Sequence, residues 1–175
     1  MQISAVSIEI KDWSGSVLLV GVLENKIESQ INLFKTIIKD DYLNQRFKEA
    51  KFEGKKNQKL SIELIEGKIK KIVFLGLGKP KNLLIDDLRK AASLGTREVF
   101  GLERKLGIFF PWDAFDTSSV ALAVGEAVNL TSIKDLRFKS EPKESNSIKE
   151  VELIGLETKP AKLAIAEIEP ICNGV

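Results

Sequence analysis

Between Lys71 and Arg97 the chain passes from an unbroken apolar run to a helical stripe. Ile72, Val73, Phe74 and Leu75 are consecutive, and the run breaks on Gly76-Leu77-Gly78. After Pro80, Leu84, Leu88, Ala91, Gly95 and Val99 recur at the three-to-four-residue spacing of one helix face. The pattern predicts a buried strand, a glycine turn and a crossover helix.

Similar signals run along the rest of the chain. Ile3 to Ile10 alternates imperfectly, and Val17 to Leu23 is a continuous apolar run of the kind buried on both faces of a sheet. Trp13 to Ser16 reads as the turn between them. Ile27, Ile31, Phe34 and Ile38 form one helical stripe, which is expected to end near Asp40-Asp41-Tyr42. A polar, basic stretch from Arg46 to Lys59 follows. Leu60, Ile62 and Leu64 then alternate with polar neighbours, and Glu66-Gly67 turns this strand into the one at Ile72, as in a β-hairpin.

Leu106 to Phe110 predicts a strand stopped by Pro111, and Thr117 to Leu130 a tightly packed helix of small residues capped by Thr117 or Ser118. Residues 131 to 149 read as a long loop and Val151 to Leu156 as a strand. The last helix starts near Pro160, with Ala164, Ile168, Ile171 and Val175 on one face. Its stripe runs into the final residue, so the sequence is expected to continue into a longer protein. Alternating strands and helices predict a three-layer α/β/α domain around a mixed, mostly parallel sheet, with about six strands and four helices.

Composition narrows the chemistry. The 175 residues contain no histidine and a single cysteine, Cys172, so His-based triads and an internal disulfide are both excluded. A formal net charge of +2 makes no global demand for nucleic acid or anionic lipid. No stretch approaches the roughly 20 apolar residues of a membrane span, and the first residues lack a secretory pattern. The expected location is the cytoplasm.

The local candidates are weak. Gly76-Leu77-Gly78-Lys79 invites a phosphate, but it lacks both the P-loop pattern and the third glycine of a dinucleotide fingerprint, and Pro80 removes a donor. A strand-to-helix turn that needs glycine is the better account. Asp40-Asp41 and Asp86-Asp87 are neighbours that diverge by about 100° on a helix, so they suit helix ends rather than an acid/base pair. Asp113 and Asp116 lie in a loop after a strand, without a base or nucleophile. Glu126 and Asn129 form the outer polar positions of an apolar helix, and Cys172 has no activating neighbour. From Arg46 to Lys81 eleven Lys and Arg face four Glu, with Phe47, Phe52 and Phe74 interleaved. That is conceivable as a DNA surface, but a solvated, edge-protecting face explains it better. No catalytic, cofactor-binding or metal residue is assigned.

Several segments nevertheless resemble, in order, the amino-terminal domain of the leucyl (cytosol) aminopeptidase family, peptidase family M17. Ile72 to Lys79 followed by Asp87-Leu-Arg-Lys-Ala-Ala92 is similar to its V-L-L-V-G-L-G-K strand and L-R-K-A-A-G helix. Val17 to Val22, Phe52 to Lys55, Ala123 to Leu130 with Arg137 to Ser140, and Ala166 to Val175 resemble further family segments. Ser93, Pro170 and Leu136-Arg137 depart from the family pattern.

The resemblance implies a macro-domain-like fold and a non-catalytic domain over residues 1–158. Residues 159–175 would begin an interdomain helix. It also implies a full-length, hexameric hydrolase that uses two divalent metals, manganese or zinc, held in a carboxy-terminal domain absent from this sequence. That enzyme would release amino-terminal residues from peptides, with this domain serving assembly or regulation. The alternatives it leaves open are a macro-like module for ADP-ribose or a nucleotide, with the Gly76 to Lys79 turn as its floor, and a DNA-binding accessory domain.

Overall fold

The computed structural model describes residues 1–38, 40–99, 105–132, 148–156 and 158–168. Among them lie six strands and five α-helices. The strands are β1 (Gln2–Val6), β2 (Val17–Leu23), β3 (Lys59–Glu63), β4 (Lys71–Gly78), β5 (Lys105–Phe109) and β6 (Glu150–Ile154). The helices are α1 (Ile27–Ile31), α2 (Asp40–Glu49), α3 (Ile85–Val99), α4 (Thr117–Ser132) and α5 (Thr158–Ala166).

The strands form one sheet in the order β1-β6-β5-β2-β4-β3. All neighbours are parallel except β3 and β4, which form the expected antiparallel hairpin with Ile62 opposite Ile72. The mixed, mostly parallel sheet is therefore the one the sequence predicts. Both faces are apolar where β2 and β4 cross the centre. Val17, Leu19, Val73 and Leu75 join the core under α3, α4 and α5, while Leu18, Val20, Ile72 and Phe74 join a second core under the segment from Ile27 to Phe52. That two-sided burial is why these strands read as unbroken apolar runs rather than alternating ones.

Five local expectations change. The first strand ends at Val6 rather than Ile10, because the Val6 carbonyl accepts its last bond from Gly155, just past the end of β6. Ile10 instead opens a short 3-10 turn. The single helix expected from Ile27 is broken: α1 gives way to a 3-10 turn at Asn32–Phe34, and a separate α2 begins at Asp40. Ile31, Phe34 and Ile38 still face the sheet and are buried. The stripe thus reports the buried face correctly, while the β-branched run Thr36-Ile37-Ile38 disfavours a continuous helix.

Third, α2 occupies the front of the stretch read as merely polar, so Asp41 lies in the first turn of a helix and not at the end of one. Fourth, Leu84 is outside the α3 stripe. It precedes the helix and is 61% exposed, because Pro80 begins a 3-10 turn that delays α3 to Ile85. Fifth, the cap of α4 is Asp116, whose carboxylate accepts from the Ser119 N–H and hydroxyl, both at 2.8 Å. Ile171, Cys172 and Val175 fall outside the described residues, as do 133–147 of the expected long loop.

Candidate functional site

In open α/β sheets the usual ligand crevice lies at the carboxyl ends of the strands. Here β4 delivers Gly76-Leu77-Gly78-Lys79 to that end. The turn has the glycine geometry expected of it, since Gly78 adopts φ +81°. Its amides, however, are already engaged. The Gly76 N–H donates to the Gln58 carbonyl at 2.8 Å and the Gly78 N–H to the Gly54 carbonyl at 2.8 Å. The Gly78 carbonyl in turn accepts from the Glu24 N–H at 2.9 Å.

The segment from Gly54 to Gln58 therefore covers the glycine turn. Gly54 adopts φ +75°, and a side chain on Gly76 would overlap the Lys55 carbonyl oxygen. Gln58 secures the covering loop. Its side-chain oxygen accepts from the Glu53 and Lys55 N–H groups at 2.8 and 3.0 Å, and its amide nitrogen donates to the Lys51 carbonyl at 3.1 Å. Lys56 completes the closure by donating to Asp87 at 2.7 Å. A phosphate cradle needs unengaged backbone donors, and these two glycines supply none.

Beside the covered turn, at the end of β2, lies an open groove of about 660 Å³ lined by Glu24, Asn25, Lys26, Ile27, Glu28, Ser29, Glu53 and Lys55. Three carboxylates face two ammonium groups there, and Lys55 is paired with Glu53. A nucleotide diphosphate entering it would meet more negative than positive charge. The geometry thus gives no support to the ADP-ribose reading.

The remaining sequence candidates resolve into structural roles. Asp87 accepts from the Leu84 N–H at 2.9 Å at the start of α3. Burial acts to raise its carboxyl, but the Lys56 ammonium and the Leu84 N–H outweigh it and hold the group below the ordinary aspartate range. Asp86 pairs with Lys90 at 2.8 Å, and that ammonium lowers its carboxyl. Asp113 sits on a 3-10 turn after β5, apart from the capping role of Asp116. Glu126 stands 3.5 Å from Arg89. Among the described residues, no group of three or more His, Cys, Asp and Glu is placed to hold a metal ion.

Part of the basic stretch from Arg46 to Lys81 is likewise built into the fold. Phe47, Phe52 and Phe74 are buried. Phe47 stacks on Phe52 and meets Phe74 edge-on, so none of the three offers a face to a nucleic-acid base. Arg46, Lys55, Lys56 and Lys59 pair with Glu49, Glu53, Asp87 and Glu98. Sequence reasoning missed Gln58 because a glutamine in a polar stretch carries no pattern that marks its side-chain bonds to Lys51, Glu53 and Lys55, and its carbonyl bond to Gly76 is a tertiary contact.

Comparison with known proteins adds the lineage. A family model described as "Cytosol aminopeptidase family, N-terminal domain" matches residues 19–142. A probable cytosol aminopeptidase of Prochlorococcus marinus is 42% identical over 175 residues, covering 100% of this chain and 35% of the relative. One from a Synechococcus strain is 31% identical over 178 aligned positions, again covering 35% of the relative. The chain thus spans about a third of the length of these curated relatives. Among solved structures, a tomato leucine aminopeptidase mutant superposes with a TM-score of 0.77 at 21% identity, over 99% of this chain and 36% of that one. A bottromycin maturation enzyme in complex with Mn gives 0.59 at 19% identity, over 90% of this chain and 30% of that one. At these identities the structural likeness establishes the fold.

Proposed function

The chain belongs to the cytosol aminopeptidase family as its amino-terminal domain, and from that premise we propose that it is the non-catalytic part of a two-metal leucyl aminopeptidase. Residues 1–158 would form the domain and 159–175, of which 169–175 lie outside the described residues, would lead to the catalytic part. The match over 35% of relatives named as aminopeptidases carries this reading.

In the full-length enzyme, manganese or zinc held by the carboxy-terminal domain would polarise the scissile carbonyl and activate water. This domain would serve assembly or regulation within a cytoplasmic homohexamer. Among its described residues no helix is long and apolar enough to cross a membrane.

The decisive assay is hydrolysis of leucine p-nitroanilide with manganese. The 175-residue chain is expected to show no metal-dependent turnover, and the polypeptide extended to the length of its relatives is expected to show it. Turnover by the 175-residue chain alone overturns the proposal.

A further inference from the structure

The free edge of β3 is complementary to itself. The ladder with β4 is bounded by the Gly76 N–H on the Gln58 carbonyl and by the Leu64 N–H on the Lys70 carbonyl. With Leu60 opposite Phe74 and Ile62 opposite Ile72, the even-numbered residues direct their backbone groups toward β4. The backbone groups of Lys59, Ser61 and Glu63 therefore point the other way, off the edge of the sheet. Among the described residues β3 pairs with no strand but β4.

An antiparallel strand centred on Ser61 answers all three positions at once. Ser61 lies opposite Ser61 of a second copy, and Lys59 of each copy lies opposite Glu63 of the other. These are three hydrogen-bonded pairs, or about six backbone bonds. Other two-fold registers are worse: centring on Leu60 or Ile62 leaves only two hydrogen-bonded pairs within β3 and no Lys59 opposite Glu63, and centring on Lys59 or Glu63 sets like charges opposite each other. On the other face, Leu60 of each copy meets Ile62 of the other and extends the core to which both belong. Glu63 is exposed and has no ion-pair partner among the described residues, whereas Lys59 already pairs with Glu98, so Lys59 of the second copy would be shared between its own Glu98 and the facing Glu63.

We propose that β3 is a homotypic docking edge, by which two copies of this chain join their sheets about a two-fold axis through Ser61. The occupant is a second copy because the charge pattern and the outward backbone groups match under that operation. A lysine on an edge strand can also serve to repel other strands, and the experiment separates the two roles.

Sedimentation equilibrium of the 175-residue chain is expected to show a reversible monomer–dimer equilibrium between micromolar and millimolar concentrations. Ser61→Pro removes an outward N–H but no bond to β4, so it should leave the chain monomeric with unchanged circular dichroism. Glu63→Lys sets two lysines against each other and should weaken association at least about tenfold. In a Cys172→Ser background, Ser61→Cys should form an intermolecular disulfide under mild oxidation, since such pairs lie about 5.5 Å apart at Cα. Ser93→Cys, on α3, should not. If Ser61→Pro fails to fold, the cross-linking pair alone decides. A chain monomeric at millimolar concentration, or a dimer in which Ser61→Cys links no faster than Ser93→Cys, overturns the proposal.

Discussion

The Lys55 carbonyl oxygen occupies the space that a side chain on Gly76 would need, so the covering loop and the end of β4 fit only because residue 76 has no Cβ. Gly76→Ala must displace backbone on both sides of that contact. It is expected to destabilise the chain by about 3 kcal/mol, as a steric clash against backbone, measured by urea unfolding. Gly67, at φ +88° with no atom within 4 Å of where a Cβ would stand, is the control. Gly67→Ala should cost only about 1 kcal/mol, from backbone conformation alone. Equal losses at the two sites would show that the close approach of Lys55 is unimportant.

Thr96 is fully buried in α3, and its hydroxyl has no hydrogen-bond partner among the described residues. Burying an unpaired hydroxyl is unfavourable, and valine keeps the shape without it. Thr96→Val is therefore expected to stabilise the chain by about 1 kcal/mol. In a domain of this size that raises the melting temperature by about 2–4 °C in a calorimetric scan. A fall in melting temperature would mean that the hydroxyl is bonded after all.

The legible parts of the fold were those written in local patterns. The runs at Val17 and Ile72 announced two-sided strands, and the alternation of Leu60, Ile62 and Leu64 announced a hairpin partner. The stripe of Ile31, Phe34 and Ile38 announced a buried face, but a turn that preserves the same face reads identically, so the break before α2 was hidden. The end of β1 was hidden for a different reason. It depends on where β6 stops, more than a hundred residues later. The glycine turn behaves similarly: its lack of a third glycine argued against a phosphate, but the loop that consumes its amides is a tertiary fact.

Acid should weaken the chain through two ion-paired carboxylates. The Lys59 ammonium holds the Glu98 carboxyl below its usual range against the opposing effect of burial, with the Ser61 hydroxyl assisting. Lys56 and the Leu84 N–H likewise overcome burial at Asp87. A carboxylate depressed in the folded state contributes stability above its unfolded pKa, and that contribution fades as pH falls through the folded value. From the ordinary values of 4.5 and 3.8 downward, unfolding free energy is thus expected to decline. Urea titrations across this range should show a shallower decline for Lys56→Met than for the unmodified chain. Identical slopes would remove the Lys56–Asp87 pair from the account.

Asp116 offers the simplest test of a helix cap. Its carboxylate accepts from the Ser119 N–H and hydroxyl, and those bonds hold it below the ordinary aspartate range. The helix it begins is α4, which packs between α3 and α5 and buries Val120, Val124 and Val128. Asp116→Ala leaves the Ser119 amide without its side-chain acceptor, a loss of about 1 kcal/mol for an N-cap. Asp116→Asn keeps an acceptor while removing the charge, so it should recover most of that loss and retain only the smaller dipole contribution. Thermal melts at neutral pH should therefore rank the unmodified chain first, the asparagine variant close behind and the alanine variant last. If asparagine and alanine melt together, the charge rather than the hydrogen bond is what Asp116 supplies.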